Sequence, residues 1–169
     1  MSSIIISTPA GHMRLTSNGN ALSEARFIEA DISSNPQPHS SVTITEGTPD
    51  GTLLEAVDWL KAYFSGSDVP PAIPYAAKGS PFRRTVWEVL DSVPYGSTVS
   101  YGAIAAEVAR RQGRATMSAQ AVGQALGDNP ICIFRPCHRV VAADGTLGGY
   151  SAGLSRKSYL LNLEKSHLS

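Results

Sequence analysis

The sequence predicts an α+β fold within the broad α/β class: a small N-terminal antiparallel sheet with one helix, then a mostly helical C-terminal half containing a helix-turn-helix-like motif. Three observations point there. Short apolar–polar alternations separated by turn residues fill the first 28 positions, the period-two signature of strands. From residue 53 onward the apolar residues recur at helical spacing. Between these regions, residues 69–79 hold three prolines and read as a linker. The expected division is a structural lobe with its linker at 1–79 and a second lobe at 80–169.

Residues 3–8 and 13–17 read as strands around a Pro9-Ala10-Gly11 turn, and Asn18-Gly19 marks a hairpin into a third strand at 21–28. The stretch 31–51, rich in Ser, Thr and Pro, reads as a long loop. Leu53, Leu54, Val57, Leu60 and Phe64 then form a helical stripe, ended by Ser65-Gly66. Ser80-Pro81 starts the next helix, a capping hydroxyl followed by proline where its missing N–H costs nothing. Phe82, Val86, Trp87, Leu90 and Val93 form its buried face, and Pro94-Tyr95-Gly96 stops it. Ser100 caps a helix through Ala109, residues 110–116 form a basic loop, and 117–126 form a helix rich in Ala, Ser and Gly. Two helices around a turn describe either a plain helical hairpin or a helix-turn-helix. The small side chains of the later helix, preceded by three arginines, favour the latter because they allow a partner to approach the backbone. Ile131-Cys132-Ile133-Phe134 is a short apolar run, residues 139–143 and 147–150 flank Asp144-Gly145 as a small hairpin or loop, and Ser155 starts a last helix packed by Tyr159, Leu160, Leu161 and Leu163.

Apolar residues make up 42% of the 169 and charged residues 17%, a globular composition able to bury a core. No apolar run approaches the length of a membrane span, and no basic residue precedes the short apolar run at Ile4–Ile6 as a secretory leader requires. Cys132 and Cys137 are too few for a disulfide scaffold, so a cytoplasmic protein is expected. The zero net charge hides a split: residues 1–79 carry four basic against eight acidic side chains, and residues 80–169 carry ten against six. That asymmetry suits a polyanion partner, and equally two differently decorated surfaces.

The chemistry concentrates in Pro136-Cys137-His138-Arg139-Val140. A thiol attacks carbon as its thiolate, which nearby cations and proton acceptors favour. His138 is adjacent and Arg135 and Arg139 bracket the site. A buried structural cysteine beside a surface histidine has the same pattern. Glu164 follows Leu161 and Leu160 by three and four positions and shares their inward side, where a carboxylate needs a partner. His138 is a suitable one, giving a Cys–water–His–Glu relay; otherwise Glu164 is solvated near the helix end.

Asn129-Pro130, Pro136-Cys137-His138-Arg139-Val140-Val141, Gly149-Tyr150-Ser151 and Leu160-Leu161-Asn162-Leu163-Glu164 resemble, in order and spacing, the signature series of the O6-alkylguanine-DNA alkyltransferases (methylated-DNA–protein-cysteine methyltransferases). Residues 80–101 resemble the family's Pro-Phe, Val-Trp, Pro-Tyr-Gly and Ser-Tyr series. The likeness spans the second half; the first matches in layout only. It implies direct-reversal repair of double-stranded DNA: a single, irreversible transfer of an alkyl group from O6-alkylguanine, with O4-alkylthymine a second candidate, to Cys137. His138 and Glu164 would form the relay, Asn129 would brace the turn before the active loop, and Tyr101 would donate to the departing guanine. Main-chain groups near Cys137, Val140 and Ser151 would read the base. The helix bearing Ser118, Gln120, Ala121 and Gly123 would enter the minor groove while the damaged base rotates into the pocket. The resemblance implies no cofactor and a monomer, nucleoid-associated if bacterial.

The chain departs from the family in three places. Gln120 stands where an arginine usually fills the gap left by the flipped base, and the preceding stretch is longer, with Arg110, Arg111 and Arg114. Either Gln120 fills the gap or Arg114 reaches in. Arg135 replaces an apolar residue, and could lower the Cys137 pKa, contact phosphate or face solvent. The cysteines of a structural zinc site found in some members are missing, and His12 with His39 makes a poor site, so no metal is expected. The rival readings are a non-catalytic alkylated-base binder of the same fold, a cysteine hydrolase or thiol oxidoreductase, and a helix-turn-helix regulator. A binder or regulator would show no covalent change with lesion DNA.

Overall fold

The alternation in the first residues builds β1 (Ser2–Thr8), β2 (Gly11–Ser17) and β3 (Leu22–Phe27), an antiparallel meander. Ile4 and Ile6 of β1, Met13 and Leu15 of β2, and Leu22 and Ala25 of β3 turn inward and are buried. The β2–β3 turn is held by Asn18 Oδ1, which accepts from the amides of Asn20 (3.0 Å) and Ala21 (2.9 Å), with Gly19 at φ +100° where a side chain would be strained. The computed structural model describes residues 1–31, 41–76 and 78–167. It corrects the reading of 31–51 as loop throughout. Residues 43–46 form β4 (Thr43–Glu46) on the free edge of β1, giving the order β3-β2-β1-β4. Four residues with Ile44 their one large apolar side chain are too short to show a period; the unpaired ladder of β1 supplies the partner. Residues 32–40 of that stretch, including His39, lie outside the described residues.

Helix α1 (Gly51–Phe64) is capped by Asp50, whose carboxylate accepts from the Leu53 amide at 2.9 Å, and lays Leu53, Ala56, Val57, Leu60 and Tyr63 on the core. Helices α2 (Pro81–Asp91), α3 (Tyr101–Arg111) and α4 (Ala119–Gly127) are capped by Ser80, Ser100 and Ser118. They pack around Val86, Trp87, Leu90, Ile104, Val108, Val122 and Leu126. Trp87 Nε1 donates to the Ala125 carbonyl at 2.9 Å, fastening α2 to α4. Two short strands, β5 (Val99–Ser100) and β6 (Val140–Val141), pair in parallel and fix the start of α3 beside the Cys137 segment; β5 was not expected, and β6 falls in the 139–143 limb of the expected hairpin or loop but pairs with β5. The last helix, α5 (Leu154–Ser166), is not capped by Ser155. Asp31 accepts from the amides of Ser155 (3.3 Å) and Arg156 (3.0 Å) instead, so a carboxylate distant in sequence satisfies its first turn.

The hydrophobic clusters do not follow the two halves of the chain. The sheet and α1 share a core with Ile131, Cys132, Ile133, Phe134 and Leu160, whereas Cys137 and Val140 belong to the α2–α4 core. The crossing is built by hydrogen bonds: the Ala25 amide donates to the Pro130 carbonyl, and the Cys132 amide to the Ala25 carbonyl, each at 2.8 Å. Residues 130–132 therefore extend the outer edge of β3 and carry the chain from one core to the other.

Candidate active site

Asn129, just beyond α4, sets the approach to Cys137. Its amide nitrogen donates to the carbonyls of Arg135 (3.1 Å) and Ile131 (3.4 Å), and its oxygen accepts from the Ile131 amide (3.1 Å). Ile133 within this turn holds φ 71°, the one left-handed residue other than glycine among those described. That conformation costs a β-branched residue about 1–2 kcal/mol; full burial of its side chain offsets this. A single 3-10 turn, Cys137–Arg139, follows. Cys137, 6% exposed, lies at the wall of a cavity of about 310 Å³ shared with Tyr101 of α3, Gly123 and Leu126 of α4, and Gly149, Tyr150 and Ser151.

Both cysteines are free thiols. The Cys132 thiol beside Cys137 favours the Cys137 thiolate; burial opposes it, and the Asn129 amide, the Tyr150 hydroxyl and the Lys157 ammonium add support. The balance holds Cys137 below the ordinary thiol range.

Glu164, 1% exposed, is the hub behind the thiol. Its oxygens accept from His138 Nε2 (2.6 Å), Arg139 Nε (2.8 Å) and Nη2 (3.1 Å), the Tyr63 hydroxyl (2.6 Å) and the Gly96 amide (3.0 Å). Burial pushes its pKa up, but these donors outweigh burial and hold it well below the carboxylate range. An ionised carboxylate only accepts, so the proton between the two groups sits on His138 Nε2. Burial also pulls the His138 pKa down, against the pull of Glu164, leaving a neutral imidazole. Its Nδ1 is buried with no hydrogen-bond partner among the described residues.

Another wall is held by Lys157. Fully buried on α5, it donates from Nζ to the carbonyls of Val140 (2.6 Å), Gly149 (3.0 Å) and Leu147. Three protons meet three acceptors, tying 147–149 to β6. The Tyr101 hydroxyl donates to the Gly149 carbonyl at 3.2 Å. Gly148, at φ +69°, lies under the Tyr101 ring, where a Cβ would fall 2.9 Å from ring atoms.

Ser118, Gln120 and Arg114 are exposed, as is Ser151 at the cavity rim, while Ala121 and Gly123 are half-buried. Arg110 and Arg111 are both held by Glu107, at 2.6 and 3.0 Å. Val140 is fully buried with its carbonyl on Lys157; a carbonyl has a second lone pair, so a further donor can still be met. Arg135 requires a correction. It is 6% exposed, pairs with Asp91 at 3.3 Å and lies over the rings of Tyr75 and Trp87. Its guanidinium is packed inside the protein and does not face solvent. His12 pairs with Glu29.

Sequence reasoning brought together Cys137, His138, Glu164, Tyr101 and Asn129 but missed Cys132, Tyr63, Gly96, Tyr150 and Lys157 as participants. A signal for Lys157 existed. Lys157, Leu160 and Glu164 share one face of α5 at helical spacing and all are buried, so a lysine on an apolar stripe marked a cation with a task. Tyr63 lies beside the Leu53, Leu54, Val57, Leu60 and Phe64 stripe read from the sequence, and nothing local marks it as a partner of Glu164.

A family model described as 6-O-methylguanine DNA methyltransferase, DNA binding domain, matches residues 81–166, more than half the chain. The chain belongs to this family. Among methyltransferase relatives, the methylated-DNA–protein-cysteine methyltransferase of Mycobacterium tuberculosis strain H37Rv is 41% identical over 162 residues, covering 95% of this chain and 90% of that protein. That of Methanosarcina barkeri is 41% identical over 164 residues, 97% of each. The crystal structure of Mycobacterium tuberculosis OGT in complex with DNA superposes with a TM-score of 0.76 at 39% identity, covering 96% of this chain and 92% of that one. The methyltransferase likeness therefore includes the N-terminal sheet, which the sequence motifs did not reach.

Proposed function

We propose that this chain repairs double-stranded DNA directly, moving one alkyl group from O6 of guanine to Cys137 Sγ and being spent in the act. One observation carries the reading: a cysteine biased toward thiolate at the wall of a cavity that Tyr101 also lines, its hydroxyl on the Gly149 carbonyl. His138 Nδ1 accepts the thiol proton through a water, and Glu164 holds the imidazole in the tautomer that leaves Nδ1 free. The sulfur attacks the alkyl carbon in line; the S–C bond forms, the C–O6 bond breaks, and its electron pair leaves on guanine. Tyr101, released from Gly149, donates to the departing base. The product is a thioether that no group here hydrolyses, so each molecule reacts once. The alkyl carbon is inaccessible in the stack, which requires the base to be flipped. The thin, exposed face of α4 is the surface that suits the minor groove, with Ser118, Gln120, Ala121 and Gly123 lying along it and Arg114 ahead of it. A monomer suffices, because one chain supplies the whole site.

Intact-mass spectrometry after incubation with duplex DNA containing O6-methylguanine tests this. The expected gain is about 14 Da on Cys137, saturating at one methyl per molecule. Absence of that gain, or continued turnover, would sink the reading. Slower transfer in either Arg114→Ala or Gln120→Ala identifies which side chain fills the gap in the duplex.

A further inference from the structure

The alkyl-transfer scheme gives the chain's other cysteine no covalent part, only a bias on its neighbour's ionisation, yet it stands beside the first. We propose that Cys132 is a resolving cysteine: when hydrogen peroxide reaches the cavity, Cys132 and Cys137 close into a reversible disulfide that suspends the protein and spares its nucleophile. The placement is built by the fold. Cys132 is pinned at the edge of β3 by its amide on Ala25, and its carbonyl accepts from Phe134 at 2.9 Å. Residues 132 and 135 bridge across the turn that left-handed Ile133 makes possible, and Asn129 clamps both limbs. That turn brings a residue five positions back beside Cys137, whose own amide donates to the Arg135 carbonyl at 2.8 Å, and both thiols are buried there and close enough to feel each other's charge.

The two sulfurs are unequal. Cys137 borders the cavity and Cys132 does not, so a small oxidant meets Cys137 first. Cys137 is also the one favoured as thiolate, while its neighbour and burial hold Cys132 protonated, the division of labour between attacked and resolving thiols. In the first step the Cys137 thiolate displaces hydroxide from peroxide and becomes a sulfenic acid. In the second, the Cys132 sulfur attacks the sulfenic sulfur; the S–S bond forms, the S–O bond breaks, and the departing hydroxyl leaves as water with the Cys132 proton. Closing to an S–S bond of about 2 Å draws Cys137 away from the cavity, whose open volume lets the side chain turn. A thiol reductant reverses the bond by exchange. That the closed form cannot accept an alkyl group rests on the proposed function; the disulfide itself does not.

The test treats the full, reduced chain with hydrogen peroxide and reads intact mass, then digests it without reductant using chymotrypsin, which cuts after Phe134 and parts the two cysteines. The expected result is a loss of about 2 Da, the two hydrogens of the thiols, and a linked Cys132–Cys137 peptide pair that dithiothreitol separates. Alkyl-accepting capacity is lost on oxidation and returns on reduction. In Cys132→Ser, with capacity read relative to the same variant before oxidation, it is lost and does not return, with a gain of about 32 Da as Cys137 becomes a sulfinic acid. A wild-type chain that gains oxygen instead of losing hydrogen overturns the proposal, as does equal recovery in Cys132→Ser. The wild-type peptide map needs no variant to fold, and a disulfide formed in a chain that never accepts methyl would overturn only the function.

Discussion

Glu164 and Arg139 form a buried ion pair, and such a pair is informative mainly when broken. Glu164→Gln leaves the Arg139 guanidinium indoors without its counter-charge, at an expected cost of about 3–5 kcal/mol. The sign of its pH dependence follows from the lowered carboxyl pKa. The folded state holds Glu164 ionised below its ordinary value of 4.5, so the stabilisation is fully present above that pH and is lost progressively as pH falls from there through the depressed folded value. Urea unfolding of wild type and Glu164→Gln should therefore differ most at neutral pH and converge in acid; a gap unchanged with pH would contradict the assignment. Alkyl transfer should slow by about 100-fold or more, since His138 loses the group that fixes its tautomer. Glu164 and His138 were legible in the sequence because one sits at helical spacing behind two leucines and the other adjoins Cys137. Tyr63, which donates to the same carboxylate, lies 101 positions away, and no local period encodes that separation.

At the scale of elements, α4 and the segment carrying Gly149, Tyr150 and Ser151 both wall the cavity. Gly123 sits inside α4 at the cavity, and a Cβ built there meets nothing within 4 Å. Gly123→Ala should therefore raise stability by about 0.5–1 kcal/mol, the helical penalty of glycine. The added methyl also narrows the cavity, so transfer of a bulky benzyl group should fall more than transfer of methyl; a Tm measured beside the two rates checks both. The second wall depends on Lys157, whose pKa burial lowers to about 8 while the Cys137 sulfur pulls it back up; at neutral pH it remains ammonium. Lys157→Met removes the tether of 147–149. Amide exchange should speed there while α2 is unaffected, and transfer should slow about 100-fold, the scale of a displaced catalytic geometry. Unchanged protection at 147–149 would show that the segment holds itself. The capped helices were readable because Ser80-Pro81 and Ser100 act within one turn. Strands β4 and β5 were not, nor was the partner of β6, because two to four residues display no period and exist only through their partners.

The molecule as a whole is interlocked. Fully buried Arg156 of α5 donates to the carbonyls of Ala10 (2.7 Å), Ala152 (2.7 Å) and Glu29 (3.1 Å) and lies over Phe27, while residues 131–134 of the catalytic half complete the first core. Unfolding should accordingly be a single transition. Trp59 packs on the first core and Trp87 lies in the second, so Trp59→Phe and Trp87→Phe each leave one reporter. The two fluorescence transitions, each compared with circular dichroism of the same variant, should coincide with it; a Trp87 transition separated from that of the sheet would show independent lobes. The sequence by itself determined the elements with strong periods and caps, and the identity of the thiol, imidazole, carboxylate and phenol, because these signals are local or come in spaced motifs. Only the tertiary structure decided that Arg135 is buried on Asp91, that Lys157 ties the cavity wall, and that Cys132 stands against Cys137. Those contacts depend on how two cores share one turn, and burial, which sets the charge and reach of each group, is a property of the packed molecule rather than of any segment.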